Sequence, residues 1–174
     1  PACGAVLNAI NTRLDVDTVT YIFEHGGAKV VLADSQFITL AEDAIARMEG
    51  PAPTLIEVPD VQAGYPASGR HPCYEDVIGN ADHDFSWIMP EDEWESIALN
   101  YTSGTTGRPK GVVYHHRGAY LNAMGQIISW RMVLRPKYLT IVPLFHCNGW
   151  CHTWMMPMLC GTVICCRDIT APAI

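Results

Sequence analysis

The sequence predicts an α/β protein built from layered, parallel-type sheets with flanking helices. Two observations carry this expectation. Between Ala28 and Val58, two apolar runs rich in β-branched residues (AKVVLA and LIEV) bracket a segment with helical spacing. Strand, helix and strand in that order imply parallel pairing through a right-handed crossover. From Tyr138 to Cys166 the chain then runs 29 residues without Asp, Glu, Lys or Arg. Turn and breaker residues inside that run (Pro143, His146, Asn148, Gly149, Pro157, Gly161) divide it into a buried strand, loop, helix and strand. A membrane span would need about 20 consecutive apolar residues, so none is expected.

Taken in order, Gly4–Leu7 is a short apolar run of strand type. Asp15 can cap a helix whose Val16, Val19, Ile22 and Phe23 share one face, and Gly26-Gly27 end it. Asn11 and Arg13, just before it, suit turn and surface roles. Ala28–Ala33 is a buried strand closed by Asp34, and a helix follows from about Ser35 to Met48 with Phe37, Leu40, Ala41, Ala44 and Ile45 inward. Pro51 and Pro53 break it, and Leu55–Val58 is the next strand.

From Asp60 to Glu95 the signal thins into an exposed, variable loop marked by Gly64, Pro66, Ser68, Gly69, Arg70 and Pro72. Short helices are expected at Cys73–Ile78 and near Pro90. Asp82, His83 and Asp84 lack further ligand partners and read as a solvated turn rather than a metal site. Beyond the Gly-rich stretch, a helix from about Arg117 to Arg131 places Leu121, Met124, Ile127 and Ile128 on one face. Tyr138–Val142 is a strand, Asn148 caps a helix from Gly149 to about Leu159, Gly161 stops it, and Thr162–Cys166 is the last strand.

Hydrophobic residues make up 49% of the 174, enough for a core of one domain. A net charge of -7 with no Lys/Arg run argues against nucleic acid as a partner. Seven cysteines in no regular framework, with Cys165-Cys166 adjacent, suggest reduced thiols and a cytoplasmic location. Pro1 opens no signal-peptide pattern. His146-Cys147 and Cys151-His152 match no standard zinc spacing, and a helix from Gly149 would scatter them, so no metal ligand set is expected.

The chemistry concentrates between two apolar runs, Ile97–Tyr101 and Val112–Tyr114. Gly104, Gly107 and Gly111 can turn backbone N–H groups toward one anion, Ser103, Thr105 and Thr106 add hydroxyl donors, and Arg108 and Lys110 add charge. Such a loop suits a polyphosphate, while a plain Gly/Thr-rich hairpin turn is the bland alternative. It is not a P-loop of the common nucleotide hydrolases, since Lys110 is followed by Gly111 and not by Ser or Thr. It is not the dinucleotide G-x-G-x-x-G pattern either, since Thr106 stands two residues after Gly104.

YTSGTTGRPKG resembles the phosphate-binding signature of the adenylate-forming (AMP-binding) superfamily of acyl-CoA synthetases, aryl-CoA ligases, luciferases and adenylation domains. The longer stretch WIMPEDEWESIALNYTSGTTGRPKGVVYHHRGAYLNAMG is similar to the medium-chain and methylmercaptopropionate-type acyl-CoA ligase branch. The resemblance implies that the chain is an internal piece of the family's N-terminal domain. Within it, about 1–59 would be a first strand/helix unit, 60–95 a loop-rich connection, and 96–174 the phosphate loop and acyl-pocket unit. The C-terminal lid domain would lie outside it. The implied activity is an ATP-dependent acid–thiol ligase, with coenzyme A as co-substrate and Mg2+ held from outside this stretch; the 174 residues alone are expected to be inactive.

By the same resemblance, Thr102, Ser103, Gly104, Thr105, Thr106, Gly107 and Lys110 would bind the nucleotide phosphates. His146 would be catalytic, and His146, Asn148, Gly149 and Trp150 of PLFHCNGW would line the substrate pocket. GAVLNAINTRLDVDTVTYIF looks like the family motif that packs beneath the nucleotide, and His115 and His116 would hold the strand-to-helix turn. Implied partners are a small carboxylic acid, ATP and coenzyme A, with homo-oligomer formation left open. The competing readings are a non-catalytic nucleotide- or anion-binding module and a carrier-loading adenylation domain.

Overall fold

The computed structural model describes residues 1–102 and 107–167, without the side chains of Cys147, Asn148 and Trp150. The chain forms two compact units: Ile10–Ser86 with Ser103–Lys110, and Pro1–Ala9 with Trp87–Thr102 and Gly111–Ile174.

In the first of these, α1 (Val16–His25) starts where Asp15 accepts the Thr18 N–H at 2.8 Å and the Thr18 hydroxyl at 3.0 Å. These bonds hold the Asp15 carboxyl below its usual pKa. The helix closes through the Ala28 N–H on the Phe23 carbonyl (2.9 Å), with Gly27 left-handed at φ +62. β1 (Val30–Asp34) and β2 (Thr54–Val58) pair in parallel, Val31 opposite Leu55, as the strand–helix–strand order predicts. β1 is not the buried strand expected: Val30 and Leu32 are exposed and only Ala33 is buried, because only one face of this two-stranded sheet is covered by α2 (Ile38–Ala46).

The single helix expected from Ser35 is instead a 3-10 turn (Ser35–Phe37) followed by α2 (Ile38–Ala46). Asp34 Oδ1 accepts the Gln36 N–H at 2.9 Å and tightens that first turn. Ala33, Ile38, Ala41 and Leu55 pack together, as do Val19, Phe23 and Ala44. Each large apolar side chain buried this way contributes about 1.5–3 kcal/mol. The expected short helix is present as α3 (Tyr74–Gly79).

The second unit departs from expectation at its start. Gly4–Leu7 is no strand; Cys3 and Leu7 make isolated parallel bridges to Ile88 and Ala98. The reason is Gly4, whose φ of +75 turns the chain as its N–H meets the Pro1 carbonyl at 2.8 Å. Near Pro90 the expected helix is a turn, in which Asp92 Oδ1 accepts the Trp94 N–H at 2.9 Å. β3 (Ser96–Tyr101) and β4 (Gly111–His115) pair antiparallel, whereas β5 (Lys137–Thr140) and β6 (Thr162–Cys165) pair in parallel.

α4 (His116–Ser129) buries Ala119 and Ala123; of the expected face Ile127 packs against the α5 core and Met124 is half-buried, whereas Leu121 and Ile128 are exposed. The small residues are the ones that let the helix approach its neighbours closely. α5 (Cys147–Met158) begins two residues before the expected Gly149, so Asn148 lies inside the helix and is not its cap. A turn closed by the His146 N–H on the Pro143 carbonyl (3.0 Å) already nucleates it. Met155, Met156 and Leu159 bury against Ala123. Gly161 closes the end, its N–H reaching the Met156 carbonyl at 2.8 Å, although Cys160 is the left-handed residue, at φ +51. β6 is exposed along its length, so this part of the uncharged run is not the buried strand expected. Among the described residues no helix is long and apolar enough to cross a membrane.

The α/β class therefore holds: small sheets, mostly parallel, with flanking helices.

Candidate nucleotide and acyl-pocket motifs

Tyr101, the last residue of β3, faces Gly111, the first of β4, so residues 102–110 close an antiparallel hairpin. A Cβ on Gly111 would lie 3.0 Å from Leu99 Cδ1, so glycine keeps the base of the loop narrow. Ser103, Gly104, Thr105 and Thr106 lie outside the described residues. Thr102 is exposed at the loop's start, and Gly107, Arg108 and Lys110 are exposed at its end. Gly107 has φ +153, a conformation that L side chains rarely adopt.

Arg108 sits 5.2 Å above the ring centroid of Tyr21 on α1, a cation–π contact that fixes this end of the loop. Together with Thr18, Glu24 and Arg47 they line an open cleft of about 460 Å3 within the first unit. An exposed Arg47–Asp17 ion pair stands on its wall. The Tyr21–Arg108 contact escaped sequence reasoning, because α1 reads only as an amphipathic helix. Asn11 Oδ1 accepts the Arg13 N–H at 3.0 Å, the turn role expected of it.

A carboxylate cluster also went unread. Glu57 on β2 is fully buried, and its carboxylate accepts from the Ser35 hydroxyl (2.6 Å), the Ser68 hydroxyl (2.7 Å) and the Ser68 N–H (2.9 Å). Burial alone would raise its pKa, but these bonds outweigh it and the net direction is down. Beside it, Glu42 takes the fork of Arg70 at 2.8 and 3.0 Å and the His71 Nε2 at 2.7 Å. Hydrogen bonds from Arg70 and then His71 hold the Glu42 carboxyl down at about 2. The loop after Asp60, expected to be exposed and variable, is thus pinned to β2 and α2. The available signal was a Glu alternating with Leu55 on the inner face of a strand. Asp82 Oδ1 accepts the Asp84 N–H at 2.9 Å, which makes the D-H-D segment a turn.

The PLFHCNGW motif lies in the second unit at the start of α5. His146 is exposed immediately before the helix. Gly149 is buried, and a Cβ there would come 2.6 Å from the Pro143 carbonyl oxygen and 2.9 Å from that of Val142. Close backbone approach demands glycine at this position. Asn148 and Trp150 lie on α5, and their side chains are outside the described ones. Next to the motif, buried His152 stacks on Tyr138 (4.1 Å, 11°) and tilts against Trp130 at 5.4 Å. Burial raises the Tyr138 pKa. His115 caps α4, its Nδ1 accepting the Gly118 N–H at 2.9 Å, which is the structural role expected of that turn.

A model of the AMP-binding enzyme family matches residues 1–173. This chain belongs to that family. As an AMP-binding chain it is 44% identical to the peroxisomal acetate/butyrate–CoA ligase of Arabidopsis thaliana, over 98% of its own length and 32% of the relative's. It is 40% identical to an acetate–CoA ligase of Humulus lupulus, over 100% of its length and 33% of that protein's. Its fold superposes on ATP-bound MatB from Rhodopseudomonas palustris with a TM-score of 0.77 at 20% identity, covering 97% of this chain and 31% of that one. The inhibitor-bound N-terminal domain of FACL13 from Mycobacterium tuberculosis gives a TM-score of 0.75 at 26% identity, covering 97% and 39%. The chain spans about a third of the length of the curated relatives it matches.

Proposed function

We propose that residues 102–110 are the phosphate-cradling loop of an acyl-CoA synthetase that activates a short aliphatic carboxylic acid. The observation that carries this is YTSGTTGRPKG set between β3 and β4, in a chain matched by the AMP-binding family along nearly its whole length. Relatives named for acetate, butyrate and 2-methylpropanoate support a small acid as the substrate.

Two steps follow from this reading. A carboxylate oxygen attacks the α-phosphorus of Mg·ATP, the P–O bond to pyrophosphate breaks, and an acyl-adenylate forms. The coenzyme A thiol then loses its proton to solvent and attacks the carbonyl carbon, the C–O bond to AMP breaks, and a thioester is left. In-line attack on phosphorus needs mainly positioning and charge neutralisation. The hydroxyls of Thr102, Ser103, Thr105 and Thr106 and the backbone at Gly104 and Gly107 donate to the β- and γ-phosphates. Lys110 offsets their charge locally, against a chain whose net charge is -7. Mg2+ enters with the nucleotide as part of the substrate and neutralises phosphate charge; we assign no residue of this chain as its ligand.

His146 donates a hydrogen bond that orients the acid's carboxylate. Asn148, Gly149 and Trp150 line the acyl side, with Gly149 there as the residue that lets α5 approach the Val142–Pro143 backbone. The cytoplasmic expectation stands beside relatives whose names place them in peroxisomes, and imaging of the tagged full-length protein decides between the compartments.

Acid-dependent AMP release by the full-length protein tests this reading. It should require coenzyme A, and Trp150→Ala should reorder acids by chain length at constant ATP dependence. Release that instead required a carrier protein would move the enzyme to the carrier-loading class. A protein that binds ATP without turnover would be a nucleotide-binding module.

A further inference from the structure

At the C-terminal end of α4 the chain builds an apolar tip flanked by cations. Ile128 is 69% exposed, Trp130 57%, and Val133 and Leu134 73% each. Arg131, Arg135 and Lys137 are exposed among and beside them. The sequence from Ser96 to Arg167 contains no Asp or Glu, so α4, α5, β5 and β6 offer these cations no acidic neighbour. The acids are elsewhere: 17 of the 18 precede Ser96.

The tip is held firmly. Met132 packs into the α4–α5 core, and its N–H meets the Ile127 carbonyl at 3.0 Å. The Arg135 N–H meets the Leu159 carbonyl at 2.8 Å, and Trp130 rests against the ring of His152. Arg131 and Arg135 both take left-handed backbone conformations, φ 51 and 58, where Gly or Asn would sit without strain. Two of the three non-glycine residues with left-handed backbone among the described residues are thus arginines beside four exposed apolar side chains.

We propose that this tip docks on an anionic lipid surface, with Trp130, Val133 and Leu134 entering the interface while Arg131, Arg135 and Lys137 meet the headgroup phosphates. Amphipathic rings and apolar chains beside a cation cluster, on elements that carry no acid of their own, have the composition of a membrane-surface contact. A symmetric pairing of two copies through the same patch would set like charges against each other. Nucleic acid would use the cations and leave the apolar side chains unsatisfied. The proposal goes beyond acid activation and does not rest on it.

Flotation of the full-length protein with phosphatidylcholine vesicles, with and without phosphatidylserine and at low and high salt, tests it. Binding is expected only with phosphatidylserine and should weaken as salt rises. Each of Arg131→Gln and Arg135→Gln should lower partitioning about fivefold, and Leu134→Asp should abolish it. All three side chains are exposed in this chain; the melting temperature and turnover of a water-soluble acid, measured alongside, should not change. Three outcomes would overturn the proposal: no binding to phosphatidylserine vesicles, equal binding by the variants, or a concentration-dependent dimer that Leu134→Asp dissolves, which would make the tip a contact between copies.

Discussion

The buried carboxylate of Glu57 accepts hydrogen bonds from both the hydroxyl and the backbone N–H of Ser68, at 2.7 and 2.9 Å. One serine thereby supplies two of the bonds that let an ionised side chain remain inside the sheet. It also fastens the loop after Asp60 to β2. Ser68→Ala removes one of these bonds and leaves charge under-satisfied in a dry setting. A loss of roughly 1–3 kcal/mol in urea unfolding is expected. A change within a few tenths of a kcal/mol would mean that Glu57 finds other donors and that the loop is not held through it.

The neighbouring Glu42 sets an acid dependence whose sign is fixed. Its carboxyl is depressed from 4.5 to about 2 in the folded chain, by Arg70 first and His71 second. A depressed carboxyl contributes stability that is fully present above the unfolded value and is lost as pH falls through the folded one. The melting temperature should therefore decline between about pH 4.5 and about 2. Arg70→Ala should flatten that decline, and Arg70→Lys should flatten it partly, since lysine cannot reproduce the two-pronged contact. Acid limbs that stay parallel in all three proteins would show that other carboxylates control the transition.

Local chemistry made some of this architecture readable and hid the rest. Asp15 with its apolar helix face, the parallel pair β1 and β2, and α3 all rest on local patterns, and all are present. The failures have two other causes, contacts distant in sequence and local backbone turns that residue composition does not reveal. The burying face of α4 is set by small residues meeting α5, so the large Leu121 and Ile128 mislead. Gly4 ends a strand that composition favours, through its backbone angle. In the motifs, loop composition points to a phosphate ligand, while the Tyr21–Arg108 contact joins residues 87 positions apart and leaves no mark on the pattern.

Gly149 offers a direct check on the pocket motif's packing. A Cβ there meets two backbone carbonyl oxygens that cannot step aside, at 2.6 and 2.9 Å. Gly149→Ala is expected to cost about 1–3 kcal/mol of stability, since overpacking forces the backbone to move. Gly125, mid-helix in α4 with nothing within 4 Å of its Cβ position, is the control. There alanine should stabilise by about 0.5–1 kcal/mol. Equal responses at the two glycines would refute the close-approach account of the motif.

The central claim is that the loop from Thr102 to Lys110 serves adenylate formation, and its most direct test is carboxylate-dependent exchange of labelled pyrophosphate into ATP. In the full-length protein, short aliphatic acids should drive exchange without coenzyme A. Lys110→Ala should lower it by about 1.5–3 kcal/mol in transition-state stabilisation, roughly tenfold to a hundredfold, as expected for loss of a charge-assisted phosphate contact. Absence of acid-dependent exchange, or exchange in Lys110→Ala at the parental rate and ATP dependence, would contradict the assignment.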